Sequence, residues 1–211
     1  RIKALFFEQS GLLTTRMTNN VYIEQLRREY SYLKEVHHLA EMKAEEWKFL
    51  RMRPYNFPSY RLAQLSALYA RVVSLFDSCL GISSLSDLRA LVAGARLSTY
   101  WHTHFSMQTT TVWHPANWSN SFLAHLSINA ILPIIFAYGK SMDLPQYMNR
   151  ALLLLEALPA EKNRLAQNFR QLGVPVYSAA DTQGLLHMKA NYCDLKRCLK
   201  CQIGYTLLKL N

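Results

Sequence analysis

Three of the four cysteines, Cys193, Cys198 and Cys201, crowd into the stretch NYCDLKRCLKC at residues 191–201. Converging thiolates hold zinc or an iron–sulfur cluster, and the two-residue gap between Cys198 and Cys201 is an ordinary ligand spacing. On one unbroken helix Cys193 would point about 140° away from Cys198, at about 100° per residue. Convergence therefore calls for a break within DLKR, whose polar residues allow one. Three thiols are one ligand short of a closed site; His187 is the nearest fourth ligand and Cys79 a distant one. The same pattern admits two other readings, reduced cysteines packed as small apolar side chains and redox-active thiols.

A second chemistry is written into WKFLRMRPYNFPSYR, residues 47–61. Lys48, Arg51, Arg53 and Arg61 alternate there with Trp47, Phe49, Tyr55, Phe57 and Tyr60. Cations that meet phosphates beside rings that stack on bases are what single-stranded DNA or RNA recognition requires. The competing reading puts the rings in the core and the cations on a solvated edge. Lys196, Arg197 and Lys200, interleaved with the cysteines, form a second basic group that extends the phosphate surface if the chain folds the two together.

Little else in the chain resembles a reaction centre. His102 and His104 alternate in YWHTHF with His114 ten residues on, and ordinary hydrogen-bonded histidines are the expectation. Asp and Glu total 14 and form no spaced acidic pair of the nuclease or hydrolase kind. No glycine-rich phosphate loop or nucleophile elbow is present. Catalysis by this segment alone is not expected.

Bulk composition agrees with a binding role. Lys plus Arg number 24, the net charge is +10, and an excess of this size favours acidic partners, nucleic acid first. Half of the residues are hydrophobic, so disordered and fibrous classes are excluded. Free cysteines and scattered methionines point to a reducing cytoplasm. The most apolar run, FLAHLSINAILPIIFAY at 122–138, is interrupted by His125, Asn129 and Pro133. It falls short of the ~20 residues of a membrane span, so a core helix and no membrane partner are expected.

The elements that must position these groups are helical. Tyr22, Leu26, Tyr30 and Leu33 share one stripe; AEEWKFLRM reads as a helix stopped by Pro54; a long helix runs from Ser59 to Phe76. SSLSDLRALVAG is a short helix with a stop at Gly94, and further helices cover 119–138 and 143–158. PAEKNRLAQNFRQLG is read with Pro159 in its first turn, and Ser178 with Asp181 forms a capping box. An amphipathic segment from Cys198 closes the chain. Residues 95–118 break the period and suggest a short β-hairpin around 99–114 or an ordered loop. The expected fold is all-α, an irregular bundle of about eight or nine helices, with two lobes at 1–94 and 119–211 joined by the irregular segment.

The strings RIKALFFEQSGLL, EEWKFLRMRPYNFPSYRLAQLSALY and NAILPIIFAYGK, followed by LLEALPAEKNRLAQNF and NYCDLKRCLKCQIG, resemble the C-terminal half of a bacterial family known as domain of unknown function 2851. That resemblance implies a nuclease-like upstream region, rich in carboxylates, followed by this helical portion. The first residue is not Met and the pattern opens midway, which fits a portion of a longer chain. On this reading the chain is an accessory domain that grips DNA or RNA, or contacts its own upstream part. The alternative is a protein-interaction domain or a metal-stabilised structural domain without activity.

Overall fold

The structure is a computed structural model that describes residues 1–13 and 20–209. It is all-α. Eleven α-helices occur among the described residues, and no strand does; two isolated bridges, His104 with Thr110 and Pro159 with Ser178, are the nearest approach to a sheet. The chain divides into two compact units, residues 1–78 with 88–119, and residues 79–87 with 120–211.

In the first unit α1 (Ile2–Gln9) packs on both α2 (Val21–His37) and α3 (Pro58–Tyr69). Asn20 caps α2 by accepting from the Tyr22 and Ile23 amides, and left-handed His38 ends it, its own amide reaching the Lys34 carbonyl. Between α2 and α3 the AEEWKFLRM segment makes only a 3-10 turn, Ala44–Glu46, in place of the expected helix. Trp47 is drawn out of register by its indole, which donates to the Ser10 carbonyl at 2.7 Å.

The long helix expected from Ser59 to Phe76 is two helices, α3 and α4 (Leu75–Leu80). Arg71 accounts for the break. Its guanidinium donates at 2.9 Å to the carbonyls of Ala90 and Leu91 in α5 (Leu85–Ala93), satisfying orphan acceptors at that helix's end. Gly94 follows α5, and a side chain there would collide with Arg71.

The irregular segment 95–118 belongs to the first unit. It holds a 3-10 turn at Thr99–His102, capped by Ser98, then a loop closed by Thr111 N to Thr103 O at 2.7 Å and His114 N to His102 O at 2.8 Å. A regular hairpin does not form, because Trp101 leaves the segment to enter the core. Its ring lies 5.5 Å from Phe7, nearly parallel, and edge-on to Tyr60, among Ala4, Ile23, Leu26 and Tyr30.

The second unit is built on α6 (Asn120–Leu126) and α7 (Leu132–Ser141), joined without interruption by a π-turn, Ser127–Ile131. The resulting helix, Asn120–Ser141, is 22 residues long, longer than the apolar run suggests, and is long and apolar enough to cross a membrane by length and composition. One stripe of it is buried, from Leu123 through Ile128 and Ile135 to Gly139, and α7 packs on α8 (Pro145–Ala157). Gly139 allows this approach: a Cβ there would stand 2.8 Å from Tyr147 Cβ and 3.0 Å from the Leu144 carbonyl oxygen. Arg150 on α8 reaches back to the Leu80 carbonyl at 2.6 Å.

Beyond α8 the expected first-turn proline is not in a helix. Pro159 bridges to Ser178, and α9 (Arg164–Gln171) starts later, capped by Asn163. The capping box at α10 (Ala179–Met188) is present: the Ser178 hydroxyl accepts from the Asp181 amide, and the Asp181 carboxylate accepts from the Ser178 amide at 2.9 Å. Those hydrogen bonds, with one from the Tyr177 amide, hold the Asp181 carboxyl below its usual pKa. A second π-turn, Lys189–Cys193, and a 3-10 turn, Cys198–Lys200, lead into α11 (Gln202–Lys209).

Candidate functional site

The 47–61 segment contributes Phe49, Phe57 and Ser59 to a cavity of about 360 Å³ in the first unit, walled also by Leu12 and Met107 with Ser106 and Gln108. Phe49 meets Phe57 edge-to-face at 5.3 Å, which fixes two aromatic walls against each other. The 3-10 turn Pro54–Asn56 then delivers Phe57 to the first turn of α3, where the Ser59 hydroxyl donates to the Phe105 carbonyl at 2.6 Å.

Lys48, Arg51 and Arg53 are all exposed, and among the described residues no carboxylate pairs with any of them. Arg51 adopts a left-handed backbone, φ +64, in the turn closed by Met52 N to Phe49 O. That conformation costs about 1–2 kcal/mol in a non-glycine residue. Between the cations Leu50 is 84 % exposed.

Arg61 differs from its neighbours. It is half-buried, and its two terminal nitrogens donate to Gln64 Oε1 and Asn56 Oδ1, both at 2.6 Å. Burial pulls its pKa down to about 10. The guanidinium ties the Pro54–Asn56 turn to α3 and so positions the segment that carries the other cations.

Lys196, Arg197 and Lys200 are exposed on the second unit, whereas the 48–61 group lies on the first. The cysteines between which they lie in sequence, Cys193, Cys198 and Cys201, line a smaller cavity of about 240 Å³ with Phe169, Met188 and Tyr192 and residues of α11. All four cysteines are free thiols, with Cys79 buried elsewhere. Among the described residues no group of three or more His, Cys, Asp or Glu side chains is arranged to hold a metal ion. His187, the nearest fourth ligand by sequence, instead has its ring nitrogen 3.1 Å from the Asn191 amide nitrogen.

The histidines of the irregular segment are structural. His102 Nδ1 lies 2.9 Å from the His114 carbonyl oxygen, and His104 stacks on Tyr100 with ring centroids 3.8 Å apart. His114 is buried against Phe105, 3.7 Å between centroids, and neither ring nitrogen has a hydrogen-bond partner among the described residues. Desolvation, with a smaller repulsion from His102, pushes its pKa below the ordinary histidine value. A histidine whose folded pKa is depressed favours folding above the unfolded value of about 6.5 and loses that contribution as pH falls through that value and toward the folded pKa. Urea midpoints should therefore drop between pH 7.5 and pH 5.5, and His114→Phe should flatten the drop; an equal drop in both proteins would show that other groups cause it.

The sequence singled out the 47–61 segment, which supplies Phe49, Phe57 and Ser59 to the cavity, but not Leu12, Ser106, Met107 and Gln108. They come from α1's exit and the irregular loop, which the sequence marked only by its broken helical period.

A family model described as a protein of unknown function, DUF2851, matches residues 1–164. The match covers the start of the chain, the whole basic segment and its cavity, and ends before NYCDLKRCLKC. No curated protein and no solved structure matches.

Proposed function

We propose that this chain, which belongs to the DUF2851 family of proteins of unknown function, is a helical module that binds single-stranded nucleic acid. Lys48, Arg51 and Arg53 contact backbone phosphates, and a base enters the cavity behind them to stack on Phe49 or Phe57. Arg61 positions the segment. Lys196, Arg197 and Lys200 form a phosphate-binding patch on the second unit. The observation that carries the reading is that three exposed cations, unpaired with any carboxylate among the described residues, alternate along the chain with Phe49 and Phe57, which wall a cavity. The net charge of +10 supports it.

In this reading the module grips, and a nuclease-like region upstream, of the kind implied by the sequence resemblance, carries any metal-dependent phosphodiester chemistry. The setting is the bacterial cytoplasm, where free thiols persist.

The test is fluorescence anisotropy with a labelled single-stranded oligonucleotide. The three phosphate contacts of the first unit contribute about −2 to the log–log salt slope, a loss of about 20-fold in affinity between ~50 and ~200 mM salt. Replacing Lys48, Arg51 and Arg53 together by Ala should remove most of that slope. Phe49→Ala should cost about 1–3 kcal/mol without changing the slope, because stacking releases no counterions. No binding at ~50 mM salt, where phosphate contacts are strong, would overturn the reading, as would an unchanged affinity in the triple variant.

A further inference from the structure

We propose that Cys198 and Cys201 are a reversible redox dithiol, closing to an intramolecular disulfide by exchange with a low-molecular-weight disulfide. The pairing follows from the turn that links them. Cys198 opens the 3-10 turn, and the Cys201 amide closes it on the Cys198 carbonyl at 3.2 Å. A 3-10 turn rises about 2 Å per residue and eclipses side chains three apart, so the two Cα atoms lie about 6 Å apart with side chains on one side. That separation is within the range of about 4.4–6.8 Å that a disulfide spans.

The cavity supplies an independent observation. Both cysteines line the same cavity, with Phe169, Met188, Tyr192 and Ile203 among its other walls. Cys198 is exposed and Cys201 partly buried, which sets the order of attack: the outer thiol meets the oxidant and the inner one resolves. Cys193 also lines this cavity, within a second fold in the chain. That fold is tied by Asp194 N to Lys189 O at 2.9 Å and Arg197 N to Tyr192 O at 2.8 Å. It is not part of the 3-10 turn, and no third ligating side chain joins the pair in metal-binding geometry among the described residues.

The turn is held in place on its C-terminal side. Gly204 packs so closely on the Cys198 carbonyl that any Cβ would collide with it, and the first α11 hydrogen bond, Tyr205 N to Cys201 O, is 2.8 Å long. Ring closure therefore joins two sulfurs without rebuilding the backbone.

The exchange balances. The Cys198 thiolate attacks one sulfur of the oxidant, breaking its S–S bond and releasing one small thiolate. The Cys201 thiolate then attacks Sγ of Cys198 and expels the second. The two protons lost by the cysteines go to the departing thiolates, so one disulfide and a protein dithiol become a protein disulfide and two small thiols.

The test treats the whole chain with oxidised glutathione, blocks remaining thiols with an alkylating agent, and maps the digest by mass spectrometry. Expected is a Cys198–Cys201 link with a mass loss of about 2 Da for the two hydrogens, with Cys193 still alkylated. Cys201→Ser should stop at a glutathione adduct on Cys198, and Cys193→Ser should form the link as the native chain does. A link that includes Cys193, or a stable mixed disulfide in the native chain, would overturn the assignment. So would near-stoichiometric zinc in the purified protein that must be chelated away before any of the three thiols reacts. The native-chain map requires no variant to fold.

Discussion

Trp101→Ala is expected to lower stability by about 3–5 kcal/mol, the range for deleting a large aromatic side chain from a core. The indole is 1 % exposed and stacks on Phe7 while meeting Tyr60 edge-on. Its N–H also donates to the Tyr22 hydroxyl at 3.2 Å, and Tyr22 in turn stacks on Tyr100 at 4.7 Å. Truncation thus empties the junction of α1, α2, α3 and the 95–118 segment at once and removes a part-buried hydrogen bond. Trp101→Phe keeps most of the apolar fill and should cost clearly less. Urea unfolding of the two variants measures the difference; an Ala variant within about 1 kcal/mol of the native protein would be too small a loss for a core aromatic.

Gly11→Ala should cost about 2–5 kcal/mol, the sum of a left-handed non-glycine residue and an overpacked contact. Gly11 has φ +69 just after α1, and an added Cβ would run into the Met42 carbonyl oxygen, with the Ala44 nitrogen 3.3 Å away. Those are backbone atoms and cannot swing aside like a side-chain tip. Relief requires moving the 40–44 strap, which is clasped to α1 by Met42 N to Gln9 O at 2.9 Å and by the Gln9 amide on the Ala40 carbonyl. Ala44 and Leu12 line the aromatic cavity, so the same displacement should weaken oligonucleotide binding under conditions where the variant remains folded. Denaturant midpoints and anisotropy together check this. A variant with native stability would show that the strap yields freely.

Local signals in the sequence carried over where one residue sets one hydrogen bond. The Ser178–Asp181 box and the glycine after α5 are instances, because capping needs only the groups within a turn. The break between Cys193 and Cys198 was legible for the same reason: the alternative, an unbroken helix, leaves the thiols on different faces. Apolar spacing misled where side chains have destinations outside their own helix. Leu62 through Phe76 keep helical spacing, yet Val73 stands fully in solvent and Arg71 diverts the chain. Trp47 likewise abandons a helical register for the Ser10 carbonyl. The cavity could not be read at all, since residues near 12, 44, 57 and 107 meet only through tertiary packing.

The chain route through the two units has its own outcome for how the protein is made. Residues 79–87 belong with 120–211, although 88–119 return to the first unit. During synthesis the N-terminal unit must therefore be completed around an inserted loop whose Leu80 carbonyl waits for Arg150, seventy residues downstream. No single cleavage point separates the halves intact, so truncation libraries cut at one site will sacrifice part of one unit or the other.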